Sequence, residues 1–346
     1  TTGLDRMMAR FVLKWFGSRP SNVLLGAMGL TFIFSMFMSN TATTAMMMSV
    51  MAPVIAGIDK KDPFVKALLL GVPFAANVGG MGTIIGSPPN AIVAGLLQDT
   101  HNISFVEWMT LGLPPAIVLF FIAWLYLRFA HPSNSETLDL RGLEWETRTG
   151  SLLPMWKRLL VFPVFMLTIL LWMTSSLHGM PTAVVSFIPI TVFAVAGILN
   201  VAEVRRLQWD VLMLMAGGLS LGVAIQKSGL ATWVLGLIPM DSMGLLAIAF
   251  VLAYVTTLLS NFMSNTAATN ILAPLGIAVA VGFEPIVVIP LALGASSAMC
   301  LPISTPPNAI AFATGDLKTT DFLRGGLLMG MLGPVLGVLW VFWMLG

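Results

Sequence analysis

Two short clusters of neutral oxygen donors interrupt an otherwise apolar chain. Met38-Ser39-Asn40-Thr41-Ala42-Thr43-Thr44 returns as Met263-Ser264-Asn265-Thr266-Ala267-Ala268-Thr269. Each copy is followed by a second cluster, first Gly86-Ser87-Pro88-Pro89-Asn90-Ala91-Ile92 and then Ser304-Thr305-Pro306-Pro307-Asn308-Ala309-Ile310. Hydroxyl and amide side chains supply neutral oxygens, and a hairpin tip or a broken helix adds free carbonyls at one half-helix end and free amides at the other. Hard cations take oxygen ligands, while helix N-termini and hydroxyls suit anionic groups. Each half of the chain therefore carries groups for a sodium ion beside groups for a carboxylate, without a buried charged side chain.

The elements that position these clusters belong in a membrane. Hydrophobic residues make up 57% of the chain and charged residues 9%, with a mean hydropathy of +0.93, whereas an ordinary soluble domain is about a quarter charged. The apolar runs are ~20 residues long and continuous, not ~10 and alternating, which predicts spanning helices and not barrel strands. The net charge of +2 favours no class of charged partner, nucleic acid included. The lone Cys300 can form no internal disulfide, and His101, His131 and His178 are too scattered for a metal site. No nucleophile with its base, metal cluster or phosphate loop points to an enzyme.

Along the chain, residues 1–130 read as a first repeat. It comprises an amphipathic surface helix at 3–16, a re-entrant hairpin at 20–57 with its tip at Ser39 to Thr41, a broken helix at 64–97 and a helix at 111–129. Proline removes a donor and forces the residue before it out of helical geometry, so the break falls near Ser87-Pro88-Pro89. A polar linker at 131–153, read as cytoplasmic, leads to a second repeat at 154–346. That repeat holds helices at 155–176, 181–199 and 210–226, a hairpin at 243–281, a broken helix at 284–314 and a helix at 322–345. Thr2-Gly3-Leu4 aligns with Ser228-Gly229-Leu230, so the repeat predicts further helices N-terminal to this chain.

The distribution of basic residues tests this layout. If both Ser-Asn-Thr segments turn back to the side they entered from, Lys227 alone of the 17 Lys and Arg falls on the outer side. The first hairpin then enters from the cytoplasm and the second from outside, an inverted repeat of the kind that binds substrate near the midplane. Within the spans there is almost no Asp, Glu, His, Lys or Arg, and Asp210 falls at a span boundary. Proton relays depend on such residues, so sodium is the expected coupling ion. A single Ser-Asn-Thr in a membrane helix is ordinarily an interhelical hydrogen bond; two ordered copies of both clusters in segments of anomalous length argue for a site. Gly79, Gly80, Gly82, Gly217 and Gly218 read as close-packing positions.

With these paired motifs the chain resembles the divalent anion/sodium symporter family over residues 1–346. The resemblance implies an all-α polytopic membrane protein of the inner cell membrane. It implies an inverted repeat with two opposed re-entrant hairpins and two broken transmembrane helices, a scaffold with an elevator-type transport domain, and a homodimer in the lipid bilayer. It implies that Asn40, Thr41, Ser87, Asn265, Thr266 and Thr305 contact the substrate carboxylates. One sodium ion is implied at Ser35, Ser39, Asn40 and the carbonyl of Gly86, and a second at Ser260, Ser264, Asn265 and the carbonyl of Ser304. Ser260 stands where the family commonly has threonine, and Ser304 where it has a small apolar residue. The expected function is sodium-coupled symport of a C4-type dicarboxylate such as succinate. The alternatives are a sodium-independent exchanger, a sulfate or tricarboxylate carrier, or an anion-binding receptor.

Overall fold

The computed structural model describes residues 16–98, 100–138, 154–205, 207, 209–229 and 244–346. The surface helix expected at 3–16, save Phe16, and the 139–153 part of the expected linker lie outside the described residues. Among the described residues the regular elements are all helical.

Each Ser-Asn-Thr cluster makes a tight turn between two helices. Helix α1 (Pro20–Ser35) and α2 (Asn40–Ala56) meet at Ser39, whose extended backbone (φ −60°, ψ 140°) and hydroxyl, accepting the Ala42 N–H at 3.2 Å, start α2. Serine is favoured there because its oxygen reaches an amide that has no partner inside the helix. Asn40 and Thr41 are therefore the first residues of a helix and not the apex of a loop, a difference that segment length alone could not register.

Each broken span also follows from local chemistry. Helix α3 (Phe64–Gly79) passes into a 3₁₀ turn at Gly80–Gly82, and the chain restarts as α4 (Pro88–Leu96). Ser87, ahead of two prolines, is extended at φ −144° and ψ 141°. Proline excludes the helical region for its predecessor and suits the first helical position, where no N–H is needed. Helix α5 (Phe105–Ala130) starts six residues before the apolar run at 111, because Ser104 and Glu107 form a reciprocal capping box that hydropathy does not detect.

Helices α6 (Met155–Met173), α7 (Thr182–Val195) and α8 (Trp209–Ser228) follow, with a short helix at Val201–Arg205 between the last two. The first two stop short of the spans expected at 155–176 and 181–199. A separate turn at Ser175–His178 ends on Gly179 at φ 68°, and Gly197 at φ 63° follows α7, conformations that glycine adopts without steric cost.

The second unit repeats the order. Helix α9 (Leu245–Ser260) and α10 (Asn265–Val279) meet at Ser264, which caps α10 with its hydroxyl on the Ala267 N–H at 3.1 Å. Helix α11 (Glu284–Ser297) and α12 (Pro306–Phe312) flank the second break, where Thr305 is extended at φ −141° and ψ 148°. The long α13 (Thr319–Leu345) closes the chain.

Packing repeats as well. Helix α3 lies against α1, α2 and α5, as α11 lies against α9, α10 and α13. Across the units, α4 packs on α10 and α11 while α12 packs on α2 and α3, and α5 meets α13. The contacts of one set of helices are thus matched by those of the other. The core runs through the broken helices: 94% of the apolar window at Phe64–Gly82 is buried, against 39% for Thr319–Leu345. Outward faces carry large exposed side chains such as Phe129 and Trp343. Among the described residues four helices are long and apolar enough to cross a membrane, and an apolar exterior around them is what a lipid solvent requires. The chain is a multi-pass helical membrane protein.

Candidate functional site

The two turns and the two breaks converge on one cavity of about 750 Å³. Of the residues expected at the site, Ser39, Asn40, Thr41, Gly86, Ser87, Ser264, Asn265, Thr266, Ser304 and Thr305 line it. Ser35 and Ser260, both fully buried, do not reach its wall. Helices α2, α4, α10 and α12 all begin here, since the residues opening each are part of the lining. Their aligned dipoles place partial positive charge around the space. In α2 and α10 the first amides are also free to donate. In α4 and α12 prolines occupy the first two positions and remove those donors, so the hydroxyls of Ser87 and Thr305 take their place.

In the first unit, neutral oxygens crowd around Asn40. The Ser35 hydroxyl lies 2.6 Å from Asn40 Oδ1 and 2.8 Å from the Ala76 carbonyl oxygen. Seated this way, Asn40 Oδ1 is also 3.2 Å from the carbonyl oxygens of Gly86 and Ala76. One hydroxyl proton cannot serve four oxygens. The cluster is satisfied in two ways: a half-turn of the amide, which presents Nδ2 to Ser35, Ala76 and Gly86, or a cation among the oxygens. The backbone is shaped around it. A Cβ on Gly80 would lie 2.5 Å from Asn40 Oδ1 and 3.0 Å from the Gly86 oxygen, and one on Gly86 would lie 2.6 Å from the Gly80 oxygen.

The second unit differs in detail. Ser260 Oγ and Asn265 Oδ1, the counterparts of Ser35 Oγ and Asn40 Oδ1, are buried atoms with no hydrogen-bond partner among the described residues. Unpartnered buried oxygens are costly unless something else satisfies them. Beside them Asn261 ties the turn to the break: its Oδ1 accepts the Cys300 N–H at 2.8 Å and the Ser304 hydroxyl at 3.0 Å, while Ser304 Oγ accepts the Leu301 N–H at 3.0 Å. In the first unit Met36, at the place of Asn261, offers only its main chain to the tie: its carbonyl accepts the Thr83 hydroxyl, as the Asn261 carbonyl also accepts that of Ser304 at 3.2 Å. The hydroxyls of Ser39 and Ser264 are engaged as caps, so at an ion these two residues retain only spare lone pairs.

A family model described as citrate transporter matches residues 1–286. The chain is 32% identical over 378 residues to the sodium-dependent dicarboxylate transporter of Staphylococcus saprophyticus, a match covering 99% of this chain and 72% of that protein. It is 31% identical over 383 residues to the protein of the same name in Staphylococcus aureus, with the same coverage. The chain belongs to the divalent anion/sodium symporter family. Membership makes it a transporter and not an enzyme, so the cavity is to be understood as a place of reversible binding.

Residues beyond the expected set also build the site of this family member. Asn90 and Asn308, the last residues of the Pro-Pro-Asn clusters, clamp the breaks. Asn90 Nδ2 donates to the Gly80 and Thr83 carbonyls at 2.8 and 2.7 Å, and Asn308 Nδ2 to those of Met299 and Leu301 at 3.1 and 3.0 Å. Helix α8 supplies a further wall with Asp210, Val211, Leu214 and Met215. Asp210, expected at a span boundary, is the charged side chain among the described lining residues. Its only sequence signal is its place in the first turn of α8. Asn77, the remaining polar addition, lies on α3 with no motif around it.

Proposed function

We propose that this protein couples sodium binding to the movement of a C4-type dicarboxylate such as succinate. The observation that carries the reading is the convergence on one cavity of four helix beginnings, the hydroxyls of Ser87 and Thr305 and two clusters of neutral oxygens. In this reading the free amides of α2 and α10, with Asn40, Thr41, Ser87, Asn265, Thr266 and Thr305, hold the two carboxylates. One sodium ion is carried among Ser35, Asn40 and the Gly86 carbonyl, joined by the Ala76 carbonyl and by Ser39. The other is carried among Ser260, Asn265 and the Ser304 carbonyl, with Ser264. The names of the Staphylococcus relatives support both the ion and the substrate class.

Two sodium ions offset a dianion, and an uncompensated charge crossing a low-dielectric barrier is expensive. The reciprocal packing of the units supports an inverted repeat with opposed hairpins, and the packing of α4 on α10 and of α12 on α2 supports one transport body built from both repeats. That body would move as an elevator against a scaffold containing α6 to α8, in a homodimer of the inner cell membrane. The family description of citrate transporter, with a cavity of about 750 Å³, gives one specific competitor to the dicarboxylate reading. Radiolabelled succinate uptake into proteoliposomes, under an inward sodium gradient or an equal potassium gradient, tests it. Uptake driven by sodium alone, and displaced more weakly by citrate than by succinate, is expected. Uptake that ignores sodium and needs internal dicarboxylate would make the protein an exchanger, and stronger displacement by citrate would make it a tricarboxylate carrier.

A further inference from the structure

We infer that Asn77 is a positioning residue that fixes the Thr305 hydroxyl as an obligatory donor to the substrate. Asn77 sits on α3 of the first unit, is 1% exposed, and reaches across to the second break. Its Nδ2 donates to Thr305 Oγ1 at 3.1 Å and to Asn308 Oδ1 at 3.4 Å. Thr305 Oγ1 also accepts the Asn308 N–H at 3.3 Å. A hydroxyl oxygen has two lone pairs and one proton. Both lone pairs are thus occupied by protein donors, and Thr305 lines the cavity. The remaining O–H can only donate, and among the described residues no acceptor takes it, which leaves it for what enters.

The opposite hydroxyl is not constrained in this way. Ser87 Oγ faces Ser296 Oγ at 3.4 Å, where either atom can be the donor. The cavity is therefore polarised: a committed donor stands at the α12 side and an adaptable hydroxyl at the α4 side. A carboxylate oxygen, which only accepts, suits the first; a carboxylate or a hydroxyl suits the second. Asn77 thereby favours ligands whose end at Thr305 is anionic over uncharged analogues of the same length, such as a hydroxy-acid lacking the second carboxylate.

This inference rests on the dicarboxylate reading, and its test separates the two. Succinate binding and uptake kinetics are measured on the full-length protein carrying Asn77→Ala, Asn77→Asp, Thr305→Ala and Asn77→Ala with Thr305→Ala. Asn77→Ala is expected to raise the succinate KM about tenfold with little change in the maximal rate, the loss of one oriented hydrogen bond to a charged group. Asn77→Asp is expected to do more harm, because an acceptor at 77 draws the Thr305 proton away from the cavity and adds a negative charge. In the Thr305→Ala background, Asn77→Ala is expected to add almost nothing, since its effect runs through that hydroxyl. Additive losses in the double variant, or a reduced maximal rate with unchanged KM, would overturn the assignment and leave Asn77 a packing residue. Wild-type protein that neither binds nor moves succinate would instead sink the functional reading itself.

Discussion

The two units carry the same motifs, yet they satisfy their buried oxygens differently. In the first, the Ser35 hydroxyl, the Asn40 amide and the carbonyls of Ala76 and Gly86 press against one another around Gly80. In the second, Ser260 Oγ and Asn265 Oδ1 have no hydrogen-bond partner among the described residues, and the polar bonding runs instead between Asn261, Cys300 and Ser304. The asymmetry extends to the clamps: Asn308 Oδ1 receives the Asn77 amide, whereas Asn90 Oδ1 receives nothing among the described residues. Repeated motifs thus fix where oxygens gather, and the unrepeated neighbours decide how each gathering is balanced. Two such sites are not expected to bind their ion with equal affinity.

The largest effects come from removing the central amides. Asn40→Ala and Asn265→Ala are each expected to lower sodium-driven uptake by about a hundredfold or more, because under the proposed function each deletes an ion ligand and a substrate contact together. Equal and unaltered sodium dependence in both variants would break the link between the clusters and the ion. Next comes Gly80→Ala, whose Cβ would meet Asn40 Oδ1 at 2.5 Å. Counted back from the paired prolines, the equivalent position of the second unit already holds alanine, Ala298. Gly80→Ala is therefore expected to raise the sodium concentration for half-maximal uptake about tenfold, whereas Ala298→Gly should leave it within about twofold. A similar response from both would show the two nests to be equivalent.

A smaller effect separates the ties between turn and break. Asn261→Met installs the residue that the first unit has at the matching place, Met36, and strands the Cys300 N–H, while the Ser304 hydroxyl keeps the main-chain oxygen of residue 261 at 3.2 Å. A loss of about 1–3 kcal/mol is expected in detergent unfolding, whereas Met36→Leu should be nearly neutral because Thr83 bonds its main-chain oxygen. The smallest contrast lies where the broken helices start. Asp62 accepts the Phe64 N–H at 2.9 Å and the Ser133 hydroxyl and Asn134 N–H at 3.1 Å each. Among the described residues its counterpart Glu284 faces His101 Nδ1, at 3.6 Å, and Oε2 makes no hydrogen bond. Asp62→Asn is expected to lower stability by about 1 kcal/mol more than Glu284→Gln, and the reverse order would contradict this division of roles.

Much of the site was legible because its chemistry is local. Proline at a helix start and an extended residue before proline are decided within three or four residues, and those rules placed Ser87 and Thr305, whereas Ser39 and Ser264 were placed by repetition and segment length as hairpin tips. The start of α5 was missed because hydropathy ignores the capping box at Ser104 and Glu107. Ala76 was invisible because any residue can offer a carbonyl. Asn77 sits in an unremarkable apolar run, and its partners Thr305 and Asn308 lie far along the chain in the other unit.

The sequence by itself determined the membrane class, the duplication, the helix boundaries at proline, and the residues that gather at the cavity. These follow from composition, repetition and short-range backbone sterics. Only the tertiary structure decided which oxygens share a proton, that Asn77 orients Thr305 from the opposite unit, and that Asp210 of α8 stands at the cavity wall. Those outcomes depend on how α3, α8, α11 and the short helices pack, and a hydrogen bond between residues far apart in the chain leaves no local pattern from which it can be read.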